Sequence, residues 1–227
     1  YYTRATLTSS TIDTVKENLV MGAGLVFIVL MVVIGSWRAA AVIASVIPAA
    51  LICAMAGMRY FGISANLLSL GAIDFGMIVD SSLVVVEHVL ALREKDSATP
   101  LPSLVASAAR EVARPVFFAI LVIVMVYLPV LTLQGVEGKM FRPMAQTVIM
   151  ALLASLLYCF TCVPVLASLV LGKVRPRGDT RLIATLRVPY TRMVYWGRGH
   201  LGILIAVTFV FFGLSVVLAT RLGGEFI

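Results

Sequence analysis

The sequence predicts an all-α membrane protein, with six transmembrane helices and an amphipathic segment lying in the inner interface. Three observations carry this expectation. Hydrophobic residues make up 61% of the 227 and charged residues only 13%, with a mean hydropathy of +1.05, far from the balance of a soluble domain. Apolar runs lie near 19–36, 39–61, 66–92, 115–134, 143–172 and 199–220, and a helix needs ~20 such residues to cross hydrocarbon. Twelve of the eighteen Lys and Arg fall on one side of the resulting topology if both ends face outward. Basic residues accumulate on the inner side, so this asymmetry sets the orientation and accounts for the net charge of +7 without nucleic acid.

The elements follow in order. Residues 1–18, YYTRATLTSSTIDTVKEN, form a polar leader that reads as a helix running into the membrane, with no small-residue cleavage site behind it. The first span ends at Gly35-Ser36-Trp37-Arg38, where an interfacial Trp and an Arg mark a boundary. Pro48 is expected to kink the second span. The third span carries acids, and residues 93–114 make an inner loop in which Pro100 and Pro102 precede a short helix ending at Arg114-Pro115. GVEGKMFRP, 135–143, reads as a brief outer loop. Residues 173–198 alternate seven basic residues with Tyr190, Tyr195, Trp196 and aliphatic positions, the pattern of a connector lying in the inner interface. Spans thus occupy 19–172 and 199–222, and residues 223–227 begin another region. A chain that starts without Met and stops at LGGEFI reads as a stretch of a longer protein.

The third span contains GAIDFGMIVDSSLVVVEH, residues 71–88, with Asp74, Asp80 and Glu87 in an apolar run. Three ionised acids facing lipid would cost on the order of 8–10 kcal/mol, so they must face other helices or water. At 100° per residue Asp80 and Glu87 fall within ~20° of each other, while Asp74 stands ~120° away. Successive acids are ~9 and ~10 Å apart along the axis. Carboxyls stepped through a membrane suit a proton relay, since removal from water lets a carboxyl exchange protons near neutral pH. The alternative is a structural ion pair, yet no basic residue lies deep in the six spans. Gly71, Ala72, Gly76, Ser81 and Ser82 remove bulk beside the acids, which ordinary close packing also explains.

GAIDFGMIVD and the following VVVE, together with TIDTV (11–15), GSWRA (35–39), SANLLSLG (64–71), EVARP (111–115), YLP (127–129) and GVEGKMFRPM (135–144), resemble the heavy-metal efflux branch of the resistance-nodulation-division superfamily. The resemblance runs through essentially the whole chain and implies helices two to seven of a twelve-helix permease. It implies that Asp74, Asp80 and Glu87 relay protons inward while a metal cation leaves. The proton motive force would supply the energy, with no cofactor and with the metal as cargo. It further implies a homotrimer in the bacterial inner membrane, a periplasmic adaptor, an outer-membrane channel, and periplasmic domains touching this chain at 1–18 and 223–227. Two positions depart from the family pattern. Ser81-Ser82 stands where Gly-Ala is usual and His88 where Asn is usual, so these three are candidate modulators of the relay. His88 could equally just mark the inner boundary.

Metal choice is weakly written. The copper and silver branch places Met beside the central acid, where thioethers suit soft monovalent ions, whereas Ile78 and Val85 stand here, favouring divalent ions of the cobalt, zinc, cadmium and nickel type. Cys159 and Cys162, three apart, are weak candidates for a soft metal, and buried thiols are common as packing groups. A multidrug exporter of the same superfamily is the alternative function. An intramembrane protease fits less well, because an aspartyl dyad must share a proton and Asp74 and Asp80 are spread along one helix. Ser81 and His88 are likewise ~10 Å apart along the axis, too far for a hydrolase pair.

Overall fold

The computed structural model describes residues 4–63, 75–96, 98–173 and 181–221, and among them the secondary structure is helical without strands. The chain divides into two compact units, Tyr1–Gly178 and Asp179–Ile227. The first holds α1 (Arg4–Ile34), α2 (Trp37–Ala44), α3 (Val46–Tyr60), α4 (Phe75–Lys95), α5 (Leu101–Leu131) and α6 (Gly135–Val170), closed by a 3-10 turn at Leu171–Lys173. The second holds α7 (Arg181–Gly199) and α8 (Leu201–Arg221).

Five helical stretches among the described residues are long and apolar enough to cross a membrane: Trp37–Tyr60, Phe75–Lys95, Leu101–Leu131, Gly135–Val170 and Leu201–Leu218. The expected first span, 19–36, is the apolar end of α1, where the greasy stretch Val20–Ile34 is shorter than these. Gly35 ends α1 at φ +68, a left-handed value that glycine adopts without a Cβ clash. Ser36 then caps α2, its side chain accepting from the Ala39 N–H. The kink expected from Pro48 falls at Ser45, between α2 and α3. That is where a proline acts, because Pro48 has no N–H for the Ala44 carbonyl four residues back.

Two predicted loops are helix instead. The short helix expected before Arg114-Pro115 runs unbroken into its span, so α5 has 31 residues and contains Pro115 and Pro129. The outer loop 135–143 forms the first turns of the 36-residue α6, leaving only Thr132-Leu133-Gln134 as the turn. Gly135, at φ +72, allows so tight a reversal, and a Cβ on Gly138 would stand 2.3 Å from the Leu133 carbonyl oxygen. Between α4 and α5, Asp96 shapes the turn. Its Oδ1 accepts from the N–H groups of Ala98 (3.1 Å) and Thr99 (3.3 Å), and its other oxygen accepts from the Thr99 hydroxyl.

The centre of the first unit is α6, which packs against α2, α3, α4 and α5. Lipid tails are as apolar as leucine, so helices associate in a membrane through close van der Waals fit and internal hydrogen bonds. Small side chains permit that approach: Ala50 and Ala54 of α3 and Ala151 and Ser155 of α6 are buried. Several polar groups along the interface are satisfied locally. Thr147 donates to the Pro143 carbonyl at 2.7 Å and contacts Met58 Sδ, and Tyr158 donates to Ser45 Oγ at 3.2 Å, tying α6 to the Ser45 break. Arg93, near the end of α4, donates to the carbonyls of Leu171 (2.7 Å) and Gly172 (3.0 Å). A guanidinium there satisfies acceptors orphaned at the end of α6 and opposes its dipole. In the second unit, the predicted connector 173–198 is largely α7, and the last span is α8.

Gly138→Ala should destabilise the full-length protein by about 1–3 kcal/mol, since the clash is with backbone rather than a movable side chain. Gly24→Ala, whose Cβ would meet nothing within 4 Å, should be neutral or slightly stabilising. Thermal melts in detergent compare the two, and equal melting temperatures would contradict the tight-turn account. The Asp96 carboxyl is held below the usual carboxylate range, first by the Thr99 hydroxyl and then by the Ala98 and Thr99 N–H groups. A depressed folded value means the stabilisation is present at neutral pH and is lost as pH falls through that depressed value. Thr99→Val should therefore raise the Asp96 titration midpoint toward the ordinary value, as read by carboxyl NMR shifts.

Candidate proton-relay site

The site follows from the two faces of α4. Ile78, Val79, Ser82, Val85, Val86 and Val89 are buried, the spacing of one helical face turned into the bundle. On the opposite side Asp80, Val84, Glu87 and Ala91, spaced by three or four residues, are exposed on the unit's surface. The shared stripe expected for Asp80 and Glu87 is therefore present, and it is the side of α4 that the other helices of this unit leave uncovered. Asp74 lies outside the described residues.

The two serines have different surroundings. Ser82 donates to the Val79 carbonyl at 2.8 Å and approaches the Ile43 carbonyl of α2 at 3.4 Å. Ser81 is buried with no hydrogen bond to its Oγ among the described residues, although the buried Cys159 thiol of α6 adjoins it. No thiol–hydroxyl bond of good geometry joins the pair. Both serines thus sit between α4 and its neighbours, away from the acid stripe. Cys162 is exposed, with Thr161 Oγ1 3.7 Å from its sulfur, whereas Cys159 is buried. Among the described residues no group of three or more His, Cys, Asp and Glu is placed to hold a metal.

His88 has a partner that the sequence alone did not single out. Its Nε2 lies 2.6 Å from Glu111 Oε2 on α5. Glu111 stood in the quoted EVARP run without a role, because its depth depends on where the inner turn falls. Once α4 ends at Lys95 and α5 starts at Leu101, antiparallel helices bring residues near 88 and 111 to similar depth.

A family model described as the AcrB/AcrD/AcrF family matches residues 1–227. The chain belongs to that family. Within it, Protein HelA of Legionella pneumophila is 41% identical over all of this chain and 22% of its own length. The cobalt-zinc-cadmium resistance protein CzcA of Cupriavidus metallidurans is 39% identical, again over all of this chain and 22% of its own. A crystal structure of a heavy metal efflux pump superposes with a TM-score of 0.70 at 39% identity, covering 91% of this chain and 19% of the pump. The AcrB/AcrD/AcrF family is part of the resistance-nodulation-division superfamily, so the resemblance carried by GAIDFGMIVD is met, with heavy-metal efflux proteins among the relatives. The chain spans about a fifth of the length of the relatives it matches. It is a helical part, with several spans long and apolar enough to cross a membrane, of a transporter family.

The two serines give a discriminating prediction. Ser82→Ala should cost about 0.5–1.5 kcal/mol, the net worth of a typical hydrogen bond, while Ser81→Ala should be neutral or stabilising because it removes a buried unpaired hydroxyl. Chemical or thermal unfolding of the full-length protein measures both. A larger loss from Ser81→Ala would mean that its hydroxyl has a partner in the whole protein.

Proposed function

We propose that this chain is the relay-bearing part of a proton-driven permease that exports heavy-metal cations by antiport, with Asp74, Asp80 and Glu87 as the relay. The observation that carries the reading is the uncovered stripe of α4 bearing Asp80 and Glu87. Left against lipid, two ionised carboxylates would cost on the order of 5–7 kcal/mol, so in the whole protein that stripe meets further helices or a water-lined path. Protons moving along it gain ~2.3 kcal/mol for each 100 mV crossed, before any pH gradient is counted. The cargo is a divalent ion of the cobalt, zinc, cadmium or nickel type, in keeping with the name of CzcA and with Ile78 and Val85, rather than thioethers, on α4.

In this reading residues 1–18 close one periplasmic domain, 19–172 and 199–222 span the inner membrane, 173–198 lie along its cytoplasmic face, and 223–227 open a second periplasmic domain. Both ends of the segment are periplasmic. The permease acts as a homotrimer with a periplasmic adaptor and an outer-membrane channel.

The test uses the full-length permease in proteoliposomes with Zn2+ as cargo and a lumenal pH dye. Asp80→Asn should lower metal-coupled proton flux by on the order of 100-fold or more, the usual scale for removing a proton-transfer group, while the protein still inserts and melts normally. Unchanged flux and metal tolerance would remove Asp80 from the relay.

A further inference from the structure

At the inner end of the acid stripe, the chain places an imidazole one residue beyond Glu87 and braces it with a carboxylate from another helix. We propose that His88 is the group that receives the relay's proton from Glu87 and delivers it to the inner solution, with Glu111 as its positioning residue. The inference rests on the relay reading and adds its exit.

The contact between α4 and α5 fixes the ring. The His88 Nε2 to Glu111 Oε2 separation of 2.6 Å is a charge-assisted bond, and a carboxylate can only accept in it, so Nε2 bears the hydrogen. That tautomer leaves Nδ1 with its lone pair, and no described residue donates to it. Glu111 thereby presents a base rather than a donor on the other side of the ring. Consecutive side chains stand about 100° apart on a helix, so the transfer runs through a bridging water. It balances: the Glu87 carboxyl gives its proton to that water, which passes one to Nδ1, giving a Glu87 carboxylate and an imidazolium paired with the Glu111 carboxylate. Water at the inner face then removes a proton and restores the neutral ring. His88 is 32% exposed and Glu111 57%, so both side chains reach the surface of this unit, seven residues before the end of α4 at Lys95.

The surroundings leave few competing charges. α4 packs against α1, α2, α3, α5 and α6. The stretches 20–34, 39–58 and 144–170 of α1, α2–α3 and α6 contain no charged residue, and Arg38 stands at the start of α2. α5 contributes Arg110, Glu111 and Arg114, and α4 itself Asp80, Glu87, Arg93, Glu94 and Lys95. Of these, Glu111 is the one in contact with the His88 ring.

The test compares full-length wild type, His88→Asn, Glu111→Gln and Asp80→Asn in proteoliposomes, with Zn2+ as cargo and the pH of the compartment facing the His88 end varied from about 5 to 8, the range in which imidazole titrates. Wild type should show an inflection in flux across that range. His88→Asn should lose the inflection and fall on the order of tenfold in flux, below the usual span for a proton-transfer group because water offers a slower exit. Glu111→Gln should lose part of the flux on its own and none further when combined with His88→Asn, since the carboxylate acts only through the ring it holds. Curves that superimpose on wild type overturn the proposal. So does a uniform loss in His88→Asn with the inflection in place, which marks a merely structural clasp between α4 and α5. If His88→Asn does not fold, His88→Gln takes its place in the comparison. An unaffected Asp80→Asn would sink the relay itself, whereas an inactive Asp80→Asn beside an unchanged His88→Asn profile sinks only the exit.

Discussion

The burial of one face of α4 is the constraint on which the rest of the site depends. Ile78, Val79, Ser82, Val85, Val86 and Val89 fit into the bundle, and helical geometry then leaves no choice about where residues 80 and 87 stand. A one-residue shift in register would rotate α4 by about 100°, turning the acids toward the packed interface. The valines thereby set the direction in which the carboxylates stand.

The bundle reaches this arrangement with few long-range polar bonds. Because hydrocarbon offers no partner to a stray donor or acceptor, each interruption of a helix has to be repaired nearby. Ser45 and Tyr158 meet at the break upstream of Pro48, Thr147 bonds the Pro143 carbonyl, and Arg93 holds the carbonyls that end α6. The first and last of these also join separate elements, so local repair doubles as tertiary fixation. Arg93 stands only six residues beyond Glu87, which couples the C-terminal end of the acid helix directly to the end of the central one.

Much of this was legible in the sequence because a membrane simplifies the rules. Apolar length and the distribution of Lys and Arg bring out the spans, and a period of 3.6 residues puts Asp80 with Glu87. What escaped was local. GVEGKMFRP looks like a loop because it is polar and contains two glycines, but Gly135 completes the turn by itself and the remainder lies beyond the greasy part of α6, where polar residues are good helix formers. Pro115 looks like a boundary, yet a membrane helix tolerates a proline that a soluble one would not. The partnership of His88 with Glu111 depends on the register of two antiparallel helices, which a five-residue turn sets and composition does not reveal. The different surroundings of Ser81 and Ser82 were equally hidden, since adjacent residues of the same type carry no mark of which neighbour each will meet.

The length of α6 has a mechanical side. Thirty-six residues make a rod of ~54 Å, against a hydrocarbon core of ~30 Å, and ordinary tilts of ~20° shorten its vertical reach by only ~3 Å. Roughly two-fifths of the rod must therefore stand clear of the hydrocarbon, and its polar end, with Glu137, Lys139 and Arg142, is the part suited to headgroups and water. The opposite end is gripped by Arg93 of the acid helix. Pro143 and Pro164 divide the rod near its two ends, so any bending of α6 falls there and leaves the stretch between them, which packs on the acid helix, as one continuous piece.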